Sequence, residues 1–159
     1  MGVHSLKAVQ KIPVPLQVVW DFFSGPANLQ IITPEDMNFR VISSFQGDKI
    51  YAGQIIEYKV TPLLGIPVYW MTEIIHVKDQ EYFVDEQRKG PYLLWHHQHF
   101  FKEIPGGVEM TDIVHYRNPG WIFSGLINKF LVKPKLDKIF EYRMKKVEEV
   151  FGVFEPQRH

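Results

Sequence analysis

The sequence predicts an α+β domain, an antiparallel sheet of about seven strands curved around one long C-terminal helix. Three observations carry that prediction. Between Asn38 and Arg117 lie six successive runs rich in β-branched and aromatic residues. The pieces joining them are short and turn-like, so successive runs pair as antiparallel neighbours. From Trp121 onward the apolar repeat lengthens to steps of three or four, the period of a helix.

The elements follow in order. His4 to Ile12 has the mixed apolar and polar character of a strand, and Pro13 and Pro15 punctuate its end. Pro15 suits the first turn of a helix, and in PLQVVWDFF the residues Leu16, Val19, Trp20 and Phe23 share one apolar face. Ser24-Gly25-Pro26 stops that helix. Asn28 to Ile32 offers a second short helical turn before Thr33-Pro34 forces extended backbone.

The six strand-like runs are NFRVISSF, AGQIIEYKV, PVYWMTEIIHV, QEYFVDEQR, LLWHHQHFFKEI and VEMTDIVHYR. Alternation along them assigns Phe39, Val41, Ile56, Tyr58, Val60, Trp70, Thr72, Ile74, Phe83, Asp85, Gln87, Trp95, His97, His99, Phe101, Met110, Asp112, Val114 and Tyr116 to one inner face. The opposite face carries Arg40, Glu57, Lys59, Glu73, Glu86, Arg88 and Arg117 and is wetter. Asn118-Pro119-Gly120 ends the series. A long helix over about 121–152 then reads from WIFSGLINKFL and PKLDKIFEYRMKKVEEVF, with Leu136, Ile139, Phe140, Val147, Val150 and Phe151 forming its sheet-facing stripe. Pro134 either opens the second part of this helix or kinks one continuous helix. A strongly curved sheet gripping a helix can leave a pocket between them.

Length and charge narrow the function classes. The 159 residues suit a single domain spanning the whole chain. Eighteen basic and 18 acidic residues cancel, so no bulk field draws nucleic acid or anionic lipid. The absence of cysteine excludes disulfides, thiolate metal sites and cysteine nucleophiles. The N-terminal MGVHSLKAVQKIPVP lacks the apolar run of a signal peptide, and no segment approaches the roughly 20 apolar residues of a membrane span. The expectation is a cytoplasmic monomer or homodimer with no nucleic-acid partner.

The order of elements and several local strings also resemble a known family. WDFFSGPANLQIITPEDMNFRV, GIPVYWMTEI, FVDEQRKGPYLLWHHQHFF, TDIVHY and LDKIFEYR are similar to a bacterial ligand-binding subgroup of the SRPBCC superfamily, which unites START domains, birch-pollen allergens and polyketide cyclases. The resemblance covers nearly the whole chain, and FVDEQRKGPYLLWHHQH is its most specific part. It implies the helix-grip fold, with two short helices after strand one, and a hydrophobic ligand cavity between sheet and long helix without an obligatory cofactor. It implies no particular ligand, because the superfamily includes carriers, receptors, cyclases and hydrolases.

The chemistry-bearing stretch is GPYLLWHHQHFF, Gly90 to Phe101. His97 and His99, two apart on a strand, project from the same face about 7 Å apart along it. Their partner depends on one turn. If Pro105-Gly106 form a two-residue turn between Ile104 and Gly107, His99 stands opposite Asp112; a bulged three-residue loop would put Phe100 there and turn Asp112 away. The first pairing is favoured because it gathers Trp95, His97, His99, Asp112 and Tyr116 on the inner face, beside Asp85 and Gln87. His96 and His115 fall on the outer face.

Three readings of this cluster stand in order. A hydrogen-bonded structural patch comes first, since buried carboxylates and imidazoles must find partners. Ligand recognition comes second, with His97, His99, Asp112, Asp85 and Gln87 as polar anchors and Tyr58, Trp70, Trp95 and Tyr116 as walls. Catalysis and metal binding come last. His97 or His99 would act as general base, oriented by Asp85 or Asp112, with Tyr58 or Tyr116 donating to a developing enolate. Two histidines with a carboxylate would serve zinc or iron, but His-x-His alone is a weak signal, so neither metal nor cofactor is expected. The expected function is binding of a small hydrophobic or amphipathic molecule. The alternatives are a cyclase or dehydratase using the same His/Asp pair, and an interaction or regulatory module. The apolar connections TPLLGIP and WIFSGLINKFL would rim the cavity mouth.

Overall fold

A computed structural model describes residues 2–44, 49–61, 65–119, 126 and 128–155 of the chain. Strand β1 (His4–Ile12) leads into helix α1 (Leu16–Phe23) and two 3-10 turns, Pro26–Gln30 and Glu35–Met37. The sheet then runs through β2 (Arg40–Val41), β3 (Ile55–Val60), β4 (Val68–Lys78), β5 (Tyr82–Lys89), β6 (Leu94–Ile104) and β7 (Gly107–Arg117). A π-turn at Asn128–Val132 opens directly into helix α2 (Lys133–Phe151). The connection TPLLGIP lies partly, and WIFSGLINKFL mostly, outside the described residues, as does Gln46-Gly47-Asp48.

All seven strands form one antiparallel sheet in the order β1-β7-β6-β5-β4-β3-β2. The meander from β4 to β7 follows from its short connections, a longer connection separates β2 from β3, and β1 closes the far edge against the last strand. Gly107 is needed at that seam. A Cβ there would collide with the carbonyl oxygen of Ile12, so the start of β7 can approach the end of β1 only as glycine. Register shifts in β4 between Met71 and Thr72 and between Ile74 and His76 mark bulges, which bend a sheet.

Strand β2 is shorter than the run NFRVISSF suggested. Beyond Val41 the backbone N–H of Ile42 still donates to the Glu57 carbonyl at 2.8 Å, but the next partner of β3 is a side chain: the Glu57 N–H donates to Ser43 Oγ at 3.0 Å. A hydroxyl thus replaces the ladder and blunts this sheet edge. Pro134 sits in the first turn of α2, and the preceding turn is wound as a π-turn. The wider turn accommodates a proline that offers no N–H and crowds the carbonyl four residues back.

Helix α2 buries Leu136, Phe140 and Val147 against the sheet, each contributing about 1.5–3 kcal/mol by removal from water. Ile139 and Phe151 are half-buried, but Val150 is exposed and lies off the stripe assigned to it. Gln10 Nε2 donates to the Met144 carbonyl at 2.8 Å, tying β1 to this helix. Among the described residues, no helix is long and apolar enough to cross a membrane.

The apolar interior has two parts. One gathers Trp20 of α1 with Phe83, Phe101, Val108 and Met110; the other joins Val114 and Tyr116 to Leu136 and Phe140 of α2. On β6 and β7, the residues between these two parts are His97, His99 and Asp112.

Candidate functional site

The two-residue turn is the one found. Ile104 pairs with Gly107, Gly106 takes φ +85°, and His99 stands opposite Asp112. On the other side of β6, Asp85 of β5 stands opposite His97. Strand pairing therefore brackets two imidazoles between two carboxylates.

The side chains close that bracket. His97 Nε2 donates to Asp112 Oδ1 at 2.9 Å, and His99 Nε2 donates to Asp85 Oδ2 at 3.0 Å. His99 Nδ1 lies 2.8 Å from Asp112 Oδ1 but out of line for a good hydrogen bond, and His97 Nδ1 lies 3.8 Å from Asp85 Oδ2. The two rings lie side by side with centroids 3.7 Å apart, and Phe83 stacks on His99 at 4.0 Å. His97, His99 and Asp112 are all buried.

Burial shapes the charges. It opposes a cation at His99, yet the Asp112 and Asp85 carboxylates on either side raise the affinity of that ring for a proton above the usual imidazole value. At His97, burial and then the neighbouring charge of His99 win over the carboxylates and lower it. Burial also works against the Asp112 carboxylate, but the charges of Arg143 and His99 and the hydrogen bond from His97 hold that carboxyl well below its usual range. These directions favour the ionised form of Asp112 and place a shared proton on His99 ahead of His97. With its Nε2 proton given to Asp112, neutral His97 turns the lone pair of Nδ1 toward Asp85.

This group forms the polar side of a cavity of ≈ 200 Å³ between the sheet and α2. Tyr58, Trp70, Asp85, Trp95, His97 and His99 line it. Trp70 meets Trp95 edge-on at 5.3 Å and donates from Nε1 to Thr72 Oγ1 at 3.1 Å, which locks the indole against the wall. Burial, then the charge of Asp85, keeps the Tyr58 phenol well above its ordinary pKa and so neutral.

Three candidates named from the sequence stand elsewhere. Asp112 is behind the histidines rather than on the wall. Gln87 faces the β5–β6 connection, where Nε2 donates to the Tyr92 carbonyl at 2.7 Å and Oε1 accepts the Tyr92 N–H at 3.2 Å. The Tyr116 hydroxyl donates to Asn128 Oδ1 at 2.9 Å, and Asn118 Nδ2 donates to the same oxygen at 3.1 Å, pinning the end of β7 to the π-turn. Both side chains hold the frame.

Sequence reasoning missed Tyr92 and Arg143 on the wall, whereas Phe140 of the sheet-facing stripe does line it. Arg143 places its guanidinium over the rings of Phe23 at 5.4 Å and Phe140 at 5.9 Å. Its signal was available. Leu136, Phe140, Arg143 and Val147 recur at steps of four, three and four, so one cation occupies an inward position of the stripe. Tyr92 carried no such signal, because it lies in a turn without periodicity.

No family model and no curated protein matches the sequence. Solved structures do match the fold. A START superfamily protein from Mycobacterium smegmatis superposes with a TM-score of 0.65 at 8% identity, over 92% of this chain and 99% of that one. Major latex-like protein 151 from Panax ginseng gives a TM-score of 0.68 at 11% identity, covering 94% and 97% of the two chains. The protein TTHA0849 from Thermus thermophilus gives 0.66 at 18% identity, covering 92% and 95%. At these identities the likeness is one of architecture. The order of elements, the curved antiparallel sheet and the C-terminal helix it grips give this chain the helix-grip fold, an architecture it shares with these structures.

Proposed function

We propose that the protein binds one small, mostly apolar molecule between the sheet and α2, with the polar end of that molecule at Asp85, His97 and His99. The observation that supports this most is the asymmetry of the cavity: aromatic and aliphatic walls with one buried, strongly polar side. Tyr58, Trp70 and Trp95 serve as walls, Asp112 positions the two imidazoles, and Gln87 and Tyr116 brace the surrounding turns. Size narrows the ligand. An apolar void of about 150 Å³ accepts benzene, so ≈ 200 Å³ suits a molecule of one or two rings.

A cyclase or dehydratase reading rests on one further observation. His97 faces the cavity with its tautomer set by Asp112, as a general base requires. A ligand-detected NMR screen of small cyclic phenols and carbonyl compounds tests the binding reading. Members of that panel are expected to bind the wild type and to lose binding in Leu136→Trp, which fills the cavity from α2. Failure of the whole panel, or binding that survives the filling, overturns it. Turnover of a bound ketone would move the enzymatic reading ahead.

A further inference from the structure

We propose that Asp85, His97 and His99 form a site for one divalent first-row transition metal, with Asp112 holding both imidazoles from behind. The site deepens the cavity described above but depends on no particular ligand within it.

Each of the three residues offers one donor atom, and these atoms lie within 4.8 Å of one another. Asp85 Oδ2 stands 3.0 Å from His99 Nε2 and 3.8 Å from His97 Nδ1. Donors bound tetrahedrally to zinc at about 2.0–2.2 Å are separated by roughly 3.3–3.6 Å. A small turn of the Asp85 carboxylate toward His97 therefore completes the set. That carboxylate can turn: it sits on the cavity wall, and among the described residues only His99 donates a hydrogen bond to it.

The outer partners are also those of a metal site. Histidine ligands characteristically give their second ring nitrogen to a carboxylate, which orients the ring. Here Asp112 Oδ1 takes the hydrogen bond from His97 Nε2 at 2.9 Å and lies 2.8 Å from His99 Nδ1. That bond aims His97 Nδ1 at Asp85, and the same buried oxygen backs the His99 ring, whose Nε2 faces Asp85. With Nε2–H committed to Asp112, His97 Nδ1 and Asp85 Oδ2 are two acceptors facing each other across 3.8 Å, an arrangement that a cation resolves.

Charge and donor type select the occupant. Two carboxylates and two neutral imidazoles around a dication sum to zero, so the half-buried Arg143 near Asp112 is left as the neighbouring charge. Two imidazole nitrogens with one carboxylate favour zinc, iron(II) or cobalt(II) over magnesium or calcium. Three protein donors leave further positions open toward the cavity, as in metal sites that receive an exogenous ligand.

The same molecule carries a competing pair on its outer face. His96 and His115 have ring centroids 6.3 Å apart, with Glu86 Oε1 2.8 Å from His96 Nδ1. The test separates the two. Tag-free protein is stripped with a chelator and titrated with cobalt(II), reading the visible d–d band and the heat of binding. One equivalent is expected, retained when His96→Ala and His115→Ala are combined, and weakened by about 10-fold or more in Asp85→Asn, the scale on which even outer partners of a metal act. Zinc-edge X-ray absorption on the zinc-loaded wild type requires no variant to fold, and two imidazole ligands are expected. Absence of saturable uptake, uptake lost with the outer pair, unchanged uptake in Asp85→Asn, or fewer than two imidazoles overturns the site. Small cyclic ligands that still bind the chelated protein while cobalt does not would reject the metal and spare the binding reading; metal uptake without any ligand binding would do the reverse.

Discussion

Strand β6 carries two histidine environments one residue apart. On the outer face, His96 shares Glu86 with Arg88, which also reaches Glu73 at 2.6 Å, and this side chain of His96 is 28% exposed. On the inner face, His97 and His99 alternate with two carboxylates, and their side chains are 8% and 5% exposed. The residue type is the same and the carboxylate distances are the same to within a few tenths of an ångström. Solvent makes the difference. Exposed pairs are screened and contribute about 0–1 kcal/mol, whereas breaking a buried pair leaves a charge with neither water nor partner.

The largest expected effect comes from removing the inner counter-charge. Asp112→Asn should lower unfolding stability by about 3–5 kcal/mol in a urea titration, because the two buried imidazoles then lose the carboxylate that sits 2.9 Å and 2.8 Å from them. A loss below about 1 kcal/mol, on the scale of an exposed pair, would erase the distinction between the faces. Arg143→Met comes next. It preserves much of the stem over Phe23 and Phe140 and removes the charge near Asp112, and a loss of about 1–2 kcal/mol is expected from the lost cation–π contacts and field. In a double-mutant cycle the two substitutions should be non-additive, since both act on one carboxylate. The smallest effect belongs to the outer face: Glu86→Gln should change stability by less than about 0.5 kcal/mol. That change should vanish in high salt while the Asp112→Asn loss persists. A salt-sensitive inner loss would place water in the quartet.

Much of this contrast was legible in the sequence. A period of two along LLWHHQHFFKEI separates His97 and His99 from His96 without reference to any other strand, whereas Asp112 joins the inner pair only through the two-residue turn that the structure shows. The fold was legible for the same reason, since six alternating runs with short connections followed by a helical stripe leave few arrangements. The division of labour between the carboxylates was not. Asp112 was the natural partner of a two-histidine site from hairpin register, yet the cavity lies on the Asp85 side, because the imidazoles turn their outer nitrogens toward β5. Gln87 and Tyr116 alternate with the pocket residues but face a turn and the π-turn instead, for a strand period says which face a side chain leaves from and not how far along it the cavity extends. Val150 fails by angle: it lies beside the stripe and is exposed, while Phe151 one residue on packs edge-on against Phe22 at 5.1 Å.

The sequence by itself determined the local periods, and so which side chains of each strand leave from one face, and it favoured without deciding the two-residue turn at Pro105-Gly106, because those depend on backbone geometry over a few residues. Only the tertiary structure decided that β1 closes the sheet against β7, that α2 brings Arg143 within the field of Asp112, and that the polar quartet faces open space on one side. Those outcomes depend on how curved layers meet, which no local period encodes.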